Sequence, residues 1–375
     1  MRRSLALSLA TAIAATALFG GAVRAEGRIL QQRKPFSWLD PNCPTCSSSI
    51  VPPGTMAPGT TVPDGRLPEG TAPMPPNVQA PMQAPQALAE PTPQIAPMVS
   101  AALGDASFAV AAPGYIDFAK PMNQVRLRYD SAYNMNRPDR AEYFYGKCGC
   151  FGGNAPGPIL PERSVDAQEG SLYLEIAPTQ RFSVFVDLPI RAINPDINAN
   201  ATGMGDMRFG FKYAFIYDDV QILSLQVRAF APTGDPRQGL GTSHWSVEPS
   251  LLYTRQLSER VTLYGEFGNW SPINGTEFAG TLLYYGAGLG YTAYESGDFR
   301  VTPLVEFIGW SVLNGQELNL DAGGAVNAGG DTIVNGKLGV RAGGPRHDFY
   351  VGYGRALTGA VWYQDIARFE YRFKF

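Results

Sequence analysis

The sequence has little charge and few of the side chains that most often carry out chemistry. Asp, Glu, Lys and Arg together make up 17% of the residues, and there are two histidines, His244 and His347. The formal net charge of −3 is too small to indicate a nucleic-acid partner. Because metal binding and acid–base catalysis most often use histidine, we predict no catalytic centre, no metal and no cofactor.

Cysteine is also scarce, and the four cysteines occur as two close pairs. They are Cys43 and Cys46 in NCPTC, and Cys148 and Cys150 in KCGC. A C-x-x-C motif can be redox-active or half of a zinc site, but the neighbouring prolines indicate an irregular segment rather than a helix start. We interpret the pairs as disulfides or local thiol pairs in an oxidising compartment, with one metal bound by all four as the alternative.

The first residues resemble an export signal. Arg2 and Arg3 precede an apolar run rich in alanine and leucine, and a small residue stands at the cleavage position Ala25. The alternative is an uncleaved anchor, because residues 4–23 carry no charge. We predict a signal peptide over residues 1–25, so that the mature protein leaves the cytoplasm.

Residues 26–113 form a segment rich in proline, alanine and glycine without hydrophobic periodicity. Such a segment cannot bury enough apolar surface to offset its ordering entropy. We predict a disordered periplasmic arm, with peptidoglycan or a periplasmic protein as a possible partner.

After Gly114 the pattern changes to segments of alternating polarity separated by turn signals. In DMRFGFKY, for example, Phe209 and Phe211 face one side, whereas Arg208 and Lys212 face the other. About twelve strands are predicted, over residues 122–135, 171–179, 182–193, 205–217, 220–231, 245–257, 261–271, 281–294, 299–312, 332–343, 348–358 and 363–375.

The alternation fits either a soluble sandwich or a transmembrane barrel, and three features favour the barrel. Short turns alternate with long loops at 136–170, 194–204, 232–244, 272–280 and 313–331. Trp245, Trp270, Trp310 and Trp362 fall at the long-loop ends of strands, where an aromatic girdle is expected. An even strand count also puts both chain ends at the short-turn rim. We therefore predict an all-β transmembrane antiparallel barrel over residues 114–375, in the bacterial outer membrane.

The chain ends in ARFEYRFKF, which places Phe369, Tyr371, Phe373 and Phe375 on one face of an extended strand. A closing strand must pair with the first one, because lipid tolerates no unsatisfied sheet edge. The segment also resembles the C-terminal insertion signal of outer-membrane proteins, which implies the barrel-assembly machinery as a partner.

Two segments carry a more specific resemblance, ATGMGDMRFGFKYAF at 201–215 and FAPTGDPRQGLGTSHWSVEPSLLYTRQLSERVTLYGEFGNW at 230–270. They are similar to the transporter-like outer-membrane barrels named after the meta-cleavage pathway of phenol degradation. The resemblance implies movement of small hydrophobic or aromatic compounds across the outer membrane. The glycines, with Asp206 and Asp235, are predicted to shape loops rather than to bind a ligand or metal.

The charged face of the strands is predicted to line the lumen. The residues concerned are Arg126, Arg128, Asp130, Glu175, Asp187, Arg208, Lys212, Arg228, Glu248, Glu266, Arg300, Glu306, Lys337, Arg341, Arg368 and Arg372. Both signs are interspersed, so salt bridges could partly fill the lumen. A twelve-stranded barrel allows a narrow passage or a plug. We predict a narrow channel for small molecules with a weak anion preference, and a closed barrel that anchors the arm or the surface loops is the alternative.

A lipase is a further alternative, because His244 and Ser246 resemble the His-x-Ser pair of outer-membrane phospholipases. Val247 and Leu251 share the parity of Trp245, so His244 and Ser246 would point inward, away from lipid. Val247 and Glu248 also stand where Asn and Gly are expected to follow the serine. We therefore predict a protein that is not an enzyme.

The barrel prediction has a direct test. We expect the mature protein, residues 26–375, to require detergent for solubility and to migrate faster in an unheated gel than in a heated one, because a closed barrel resists unfolding by detergent. A detergent-free, soluble protein whose mobility is unaffected by heating would contradict it.

Overall fold

The structure is a computed structural model that describes residues 110–136, 145–151, 155–273, 279–319, 324–359 and 361–375. The predicted signal peptide, the arm up to residue 109, and Cys43 and Cys46 lie outside the described residues. Within these ranges, no helix is both long and apolar enough to cross a membrane.

Twelve long antiparallel strands form a closed barrel. They are β1 (Gln124–Met135), β2 (Val165–Thr179), β3 (Phe182–Pro195), β5 (Met207–Tyr217), β6 (Gln221–Ala231), β7 (Ser246–Gln256), β8 (Val261–Pro272), β9 (Leu282–Tyr291), β11 (Phe299–Val312), β14 (Thr332–Gly343), β15 (His347–Ala356) and β16 (Asp365–Lys374). In the connections that the structure describes there are four short strands: β4 (Ala201–Met204), β10 (Tyr294–Ser296), β12 (Gln316–Asn319) and β13 (Gly324–Asn327).

The first and last barrel strands pair with each other and close the sheet. Their register runs from Gln124 opposite Lys374 to Tyr133 opposite Asp365. On the other side, β9 pairs directly with β11, so the long strands form one continuous ring. The predicted closure by the C-terminal strand is therefore confirmed.

The twelve predicted strands agree with the twelve long strands observed, apart from the start of β2, whereas the short strands β4, β12 and β13 lie in segments predicted to be loops. This strand begins at Val165 rather than at residue 171. The inward-facing Val165 and Ala167 are buried, but the polar residues Gln168 and Glu169 that follow hide the alternation in the sequence. The long loop between β1 and β2 therefore begins where it was predicted to begin, but it ends before residue 170.

Apolar side chains point outward and charged ones point inward. On β1, Leu127 is 51% exposed and Tyr129 45%, whereas Arg126 and Asp130 are each 9% exposed. A soluble sandwich would show the reverse arrangement, with apolar residues facing a second sheet. The exposed apolar band is the surface expected to contact lipid.

The connections differ at the two rims, as predicted. The short turns follow β2, β5, β7, β9 and β14, and both Gln124 and Lys374 lie at this end. In the turn after β5, the Asp218 carboxylate accepts the backbone N–H of Val220 at 2.9 Å and of Gln221 at 2.8 Å, and these bonds lower its pKa. We call this end the short-turn rim and the opposite end the long-loop rim.

The predicted tryptophan girdle is wrong for three of its four members. Trp245 is 45% exposed, but Trp310 and Trp362 are buried and pack edge-to-face with ring centroids 4.7 Å apart. Trp310 has the parity of the inward-facing Glu306, and Trp270 has that of the inward-facing Glu266. The girdle was predicted from position at the end of a strand. Strand parity, however, directs the rings of Trp270 and Trp310 into the lumen.

Strand glycines make room for inward-facing aromatic rings. The Tyr350 ring lies across Gly339 and Gly352, and a Cβ at either glycine would collide with it. Tyr284 covers Gly268 in the same way. This packing lets bulky rings lie flat against the inner wall, where an aromatic can shield a glycine backbone.

The aromatic–glycine packing predicts that Gly339→Val destabilises the barrel by about 1–3 kcal/mol, because the new side chain would displace Tyr350. The measurement is the urea unfolding midpoint in detergent micelles. Gly170→Val is the matched control, since a Cβ there meets nothing within 4 Å. Equal midpoint shifts in both variants would contradict the interpretation.

Candidate functional site

The segment that precedes the first strand, residues 110–123, runs inside the barrel, and we call it the luminal segment. Tyr115 and Ile116 are 9% and 3% exposed, and Ala119 is fully buried against Ala214 and Ile222 of the wall. The sequence here has no strand periodicity, and hydrogen bonds to the inner wall satisfy much of its backbone.

The carboxylate of Glu306 binds three consecutive backbone N–H groups of the luminal segment. Gly114 donates at 3.2 Å, Tyr115 at 2.9 Å and Ile116 at 3.1 Å. Successive N–H groups that converge in this way form an anion-binding nest. A Cβ at Gly114 would also collide with the Tyr350 ring, so this turn requires glycine.

Basic and hydroxyl side chains of the wall bind the carbonyl groups of the same segment. Arg341 donates to the Ala112 carbonyl at 2.8 Å and to the Pro113 carbonyl at 2.7 Å. Arg368 donates to the Gly114 carbonyl at 2.9 Å, and its guanidinium lies 4.1 Å from the centre of the Tyr115 ring. The segment is therefore bound through both backbone donors and acceptors.

Asp117 attaches the C-terminal end of residues 114–117 to the wall. Its N–H donates to Glu266 at 3.0 Å, and its carboxylate accepts hydrogen bonds from Gln226, at 3.0 Å, and from Arg228. Because Glu306 lies on β11 and Arg228 on β6, the segment bridges distant parts of the wall. Residues 114–117 thus extend across the lumen from one part of the wall to another.

Both ends of the luminal segment lie toward the short-turn rim. Val110 packs near Ile222, at the short-turn end of β6, and the Met122 N–H donates to Glu175 near the end of β2. Residues 114–117 reach the middle of β8 and β11. The segment therefore enters, turns at mid-height and returns to the rim at which it entered.

A cavity of about 240 Å³ lies on the long-loop side of residues 114–117. Its walls carry the stacked pair Phe230 and Trp270, with ring centroids 4.5 Å apart, together with Tyr284 and Trp310. Seven basic and seven acidic side chains also line it. The cavity combines aromatic surfaces with a balanced charge.

Many of the charged groups of the cavity are joined in ion pairs. Glu169 contacts Arg128 at 3.2 Å and Arg208 at 2.7 Å, and Arg368 binds both oxygens of Asp130 at 2.7 and 2.8 Å. Buried charges are costly unless paired, and these ion pairs offset part of that cost. Asp187 Oδ1 is one of several buried polar atoms in the described part of the chain that have no hydrogen-bond partner; Tyr115 Oη and the Nε atoms of Arg126 and Arg128 are others beside the cavity.

Ten of the sixteen predicted lumen residues line this cavity: Arg126, Arg128, Asp130, Asp187, Arg208, Arg228, Glu248, Glu266, Lys337 and Arg368. Nearer the short-turn rim, Glu175 pairs with Lys212 at 3.4 Å, and Arg341 and Arg372 both contact Glu370. Glu306 binds the luminal segment. Arg300 instead pairs with Glu295 of β10 at 2.8 Å, where both side chains are partly exposed.

Four charged cavity residues were absent from the predicted lumen set: Asp117, Glu169, Arg191 and Asp206, the last of which was predicted to shape a loop. Glu169 fell in a predicted loop, and Asp117 lies in a segment without periodicity. Arg191 shares the parity of Asp187 on β3, so its position could have been found from the alternation. Three of the four are acidic, which balances the basic excess from which an anion preference was predicted.

The glycine-rich motifs shape the loops at the long-loop rim, as predicted. Asp206 accepts the N–H of Gly234 at 3.0 Å and that of Thr242 at 2.8 Å. Asp235 accepts the N–H of Arg237 at 2.9 Å, and Gly239 has a φ of 75°, which favours glycine.

The loop after β1 contributes a buried cluster at the same rim. Cys148 and Cys150 form a disulfide with their Cα atoms 5.2 Å apart. Lys147 is 1% exposed and donates to the Gln316 carbonyl of β12. These contacts connect the loop after β1 with the β12–β13 hairpin.

The four residues of the proposed insertion signal lie along the outer face of β16 and the terminus after it. Phe369 is 49% exposed and Phe375 50%, and Tyr371 and Phe373 are partly exposed. Their rings continue the apolar band of the barrel.

His244 and Ser246 do not contact each other as a catalytic pair would. His244 Nδ1 lies 3.2 Å from the Thr242 carbonyl, and Ser246 Oγ accepts a hydrogen bond from Trp270 Nε1 at 2.6 Å. Among the described residues, no group of three or more His, Cys, Asp or Glu side chains is arranged to hold a metal ion.

The fold and its lumen define an outer-membrane β-barrel, and comparison with known proteins identifies its family. Residues 170–358 match the family described as "Putative MetA-pathway of phenol degradation". The chain belongs to this family. No curated protein matches it.

Solved structures of similar fold include outer-membrane proteins. An outer membrane channel from Pseudomonas putida F1 has 16% identity and a TM-score of 0.47, over 71% of this chain and 100% of that chain. The KdgM porin, in complex with disordered oligogalacturonate, has 9% identity and a TM-score of 0.37, over 67% and 99%. LpxR from Salmonella typhimurium has 10% identity and a TM-score of 0.38, over 67% and 100%.

The binding of the luminal segment predicts that Glu306→Gln releases it. A carboxylate that accepts backbone hydrogen bonds contributes about 1.5–3 kcal/mol per bond, so its loss favours the released state at least about tenfold. The measurement is the rate of thiol labelling of a cysteine placed at the fully buried Ala119. Glu295→Gln, in the rim pair with Arg300, is the control, and equal labelling in both variants would argue against this role.

Proposed function

We propose that the protein is a narrow outer-membrane channel for small molecules, with no enzymatic activity. The observation that carries the proposal is the cavity between the long-loop rim and residues 114–117, lined by aromatic rings and charged groups. A barrel used only as an anchor needs no such space, because side chains alone can fill a narrow lumen.

The chemistry of the cavity favours small, uncharged aromatic molecules. The rings of Phe230, Trp270 and Tyr284 offer stacking surfaces. The balanced charges favour no sign of ion, and Asp187 Oδ1 can accept a hydrogen bond from a hydroxyl group of the bound molecule. A hydroxylated aromatic satisfies both requirements.

A closed barrel that anchors its arm or surface loops is the second candidate. It is favoured by the luminal segment, which occupies the lower lumen and is bound by Glu306, Arg341 and Arg368. In this candidate the luminal segment never leaves the lumen and blocks it permanently. The two candidates differ in whether the segment leaves and whether solutes cross.

The lipase alternative has less support. Ser246 is bound by Trp270 inside the barrel, and His244 interacts with a backbone carbonyl. We therefore propose that the barrel transports rather than hydrolyses.

We also propose that the arm lies in the periplasm. The arm was predicted over residues 26–113, but residues 110–113 belong to the luminal segment, where Arg341 binds the carbonyl groups of Ala112 and Pro113, so the proposed periplasmic part is residues 26–109.

The channel proposal predicts the behaviour of two proteins in a planar bilayer. The refolded 26–375 chain is expected to open rarely, because the luminal segment fills the lower lumen. A 122–375 variant is expected to conduct steadily and with little preference between anions and cations, because the cavity charges balance. Single-channel recording measures both properties.

Folding of both proteins is checked by circular dichroism and by heat-modifiable gel mobility. If both are folded and silent, and if neither carries 2-naphthol into liposomes, the closed-anchor candidate replaces the channel. A strong anion preference of the 122–375 variant would instead contradict the charge balance on which the choice of solute depends.

A further inference from the structure

Two basic side chains of the wall lie over the ring of Tyr115. The Nζ atom of Lys337 is 3.9 Å from the centre of this ring, and the guanidinium carbon of Arg368 is 4.1 Å from it. A cation within about 6 Å of a ring centre is attracted by the negative charge of the ring face. The side chain of Tyr115 is therefore held in a place that suits an aromatic ring.

The backbone and the ring of Tyr115 are bound by different groups. Glu306 accepts a hydrogen bond from the backbone N–H at 2.9 Å, whereas Lys337 and Arg368 contact the ring. Tyr350 packs edge-to-face with the same ring, with the centroids 6.0 Å apart. Rotation of the side chain can thus remove the ring from the basic groups before the backbone leaves Glu306.

The hydroxyl group of Tyr115 contributes nothing to this binding. Its oxygen is buried and has no hydrogen-bond partner within the described residues. Tyr264 of β8 is also buried, but it donates its hydroxyl to the Ala111 carbonyl. The groups around Tyr115 therefore bind the face of the ring and leave the hydroxyl unsatisfied, which is costly for a buried polar group.

The two basic groups are positioned by the wall itself. Arg368 binds both oxygens of Asp130, at 2.7 and 2.8 Å, and this pairing fixes the plane of its guanidinium. The stem of Lys337 lies against Gly354, where a Cβ would be 2.8 Å from the Lys337 Cγ. The β15 residues opposite the two basic groups are Gly354 and Gly352, so these positions place no side chain between them. The arrangement therefore does not depend on the luminal segment.

A solute in the cavity meets these groups directly. Tyr115, Lys337 and Arg368 all line the cavity. Trp310 lines it too, and its ring centre is 5.7 Å from the Lys337 Nζ atom. A phenol has the same ring as Tyr115, and because it is not attached to a backbone, it can also turn its hydroxyl group toward a hydrogen-bond partner. Such a molecule matches the side chain that now lies between the basic groups and the cavity.

We propose that Lys337 and Arg368 form a binding site for phenolic solutes, and that Tyr115 occupies this site in the absence of a solute. The inference rests on the proposed channel function and deepens it. Because a solute and Tyr115 cannot occupy the site together, solute binding favours the state in which Tyr115 has left. A phenol therefore weakens the attachment of the luminal segment and promotes opening of the channel.

Attachment to the chain gives Tyr115 an advantage over a free solute. Groups on short tethers reach effective concentrations in the millimolar range, so a solute of similar affinity must be present at comparable concentrations. The probe is p-cresol, which is the tyrosine side chain without its backbone. Its control is 4-methylcyclohexanol, which has the same heavy atoms and a hydroxyl group but no aromatic ring face.

The first test measures release of the luminal segment in the 26–375 protein with Cys43→Ser and Cys46→Ser. A cysteine placed at the buried Ala119 reports release through its rate of thiol labelling. Titration of p-cresol through the millimolar range is expected to raise this rate about threefold or more, whereas 4-methylcyclohexanol leaves it unchanged. A rate that does not respond to p-cresol, or that rises equally with both compounds, overturns the proposal.

A pair of variants assigns the response to the basic groups. Lys337→Met keeps the length of the side chain but removes its charge, so it is expected to raise the basal labelling rate and to reduce the response to p-cresol. Arg300→Met, in the rim pair with Glu295, is the matched control and is expected to change neither quantity. The same response to p-cresol in both variants counts against the site.

The second test measures binding without release. Tyr115→Ala vacates the site, so p-cresol is expected to raise the urea unfolding midpoint of this variant in detergent micelles, because a ligand that binds only the folded state stabilises it. Tyr264→Ala is the control, since it removes a buried ring that is held through its hydroxyl group. Equal shifts in both variants, or with both compounds, contradict the site. Heat-modifiable gel mobility verifies folding, and if either variant does not fold, the labelling test decides.

Failure of this binding site is distinguishable from failure of the channel function. The 122–375 variant lacks Tyr115, so its conductance does not depend on displacement of that ring. Steady conductance of this variant, together with a labelling rate that ignores p-cresol, refutes the binding site and leaves the channel. A folded but silent 122–375 variant refutes the channel, and opening of the channel by phenols fails with it.

Discussion

The structure depends on one constraint, which is that a sheet in lipid has no edge. Every strand must hydrogen-bond to a neighbour on each side, because lipid supplies no donors or acceptors. Pairing of β16 with β1 meets this requirement and fixes the ring of twelve long strands. Closure then sorts the side chains by parity, with apolar residues toward lipid and charged ones confined to a narrow interior. The need to pair these charges leads to the salt-bridge network, and some of them bind the luminal segment instead.

The strands were predictable because two-residue alternation and turn composition are local properties. The twelve predicted strands correspond to the twelve long strands of the barrel, and the terminal aromatic stretch correctly indicated a closing strand. The start of β2 was missed because Gln168 and Glu169 interrupt the apolar pattern. The tryptophan girdle failed for a different reason: position along the strand was considered without parity, and parity directs Trp310 inward.

The site was only partly predictable. Parity identified ten residues of the cavity, including Asp187 and Arg228, but could not show which acid pairs with which base, since that depends on the strand order around the ring. The luminal segment gave no signal at all. Its residues bind through backbone groups, whose partners Glu306 and Arg341 are more than 180 positions away in the chain. Periodicity describes side chains, so it cannot reveal a segment held by its peptide groups.

The balance of charge in the cavity also affects the distance over which the cavity attracts a solute. Seven basic and seven acidic side chains lie at short separations, and the field of opposite charges placed close together falls off faster than that of a single charge. Added salt screens whatever remains beyond about 8 Å. The cavity charges therefore attract a solute only over short distances, and their effect on the rate of capture is largely independent of ionic strength.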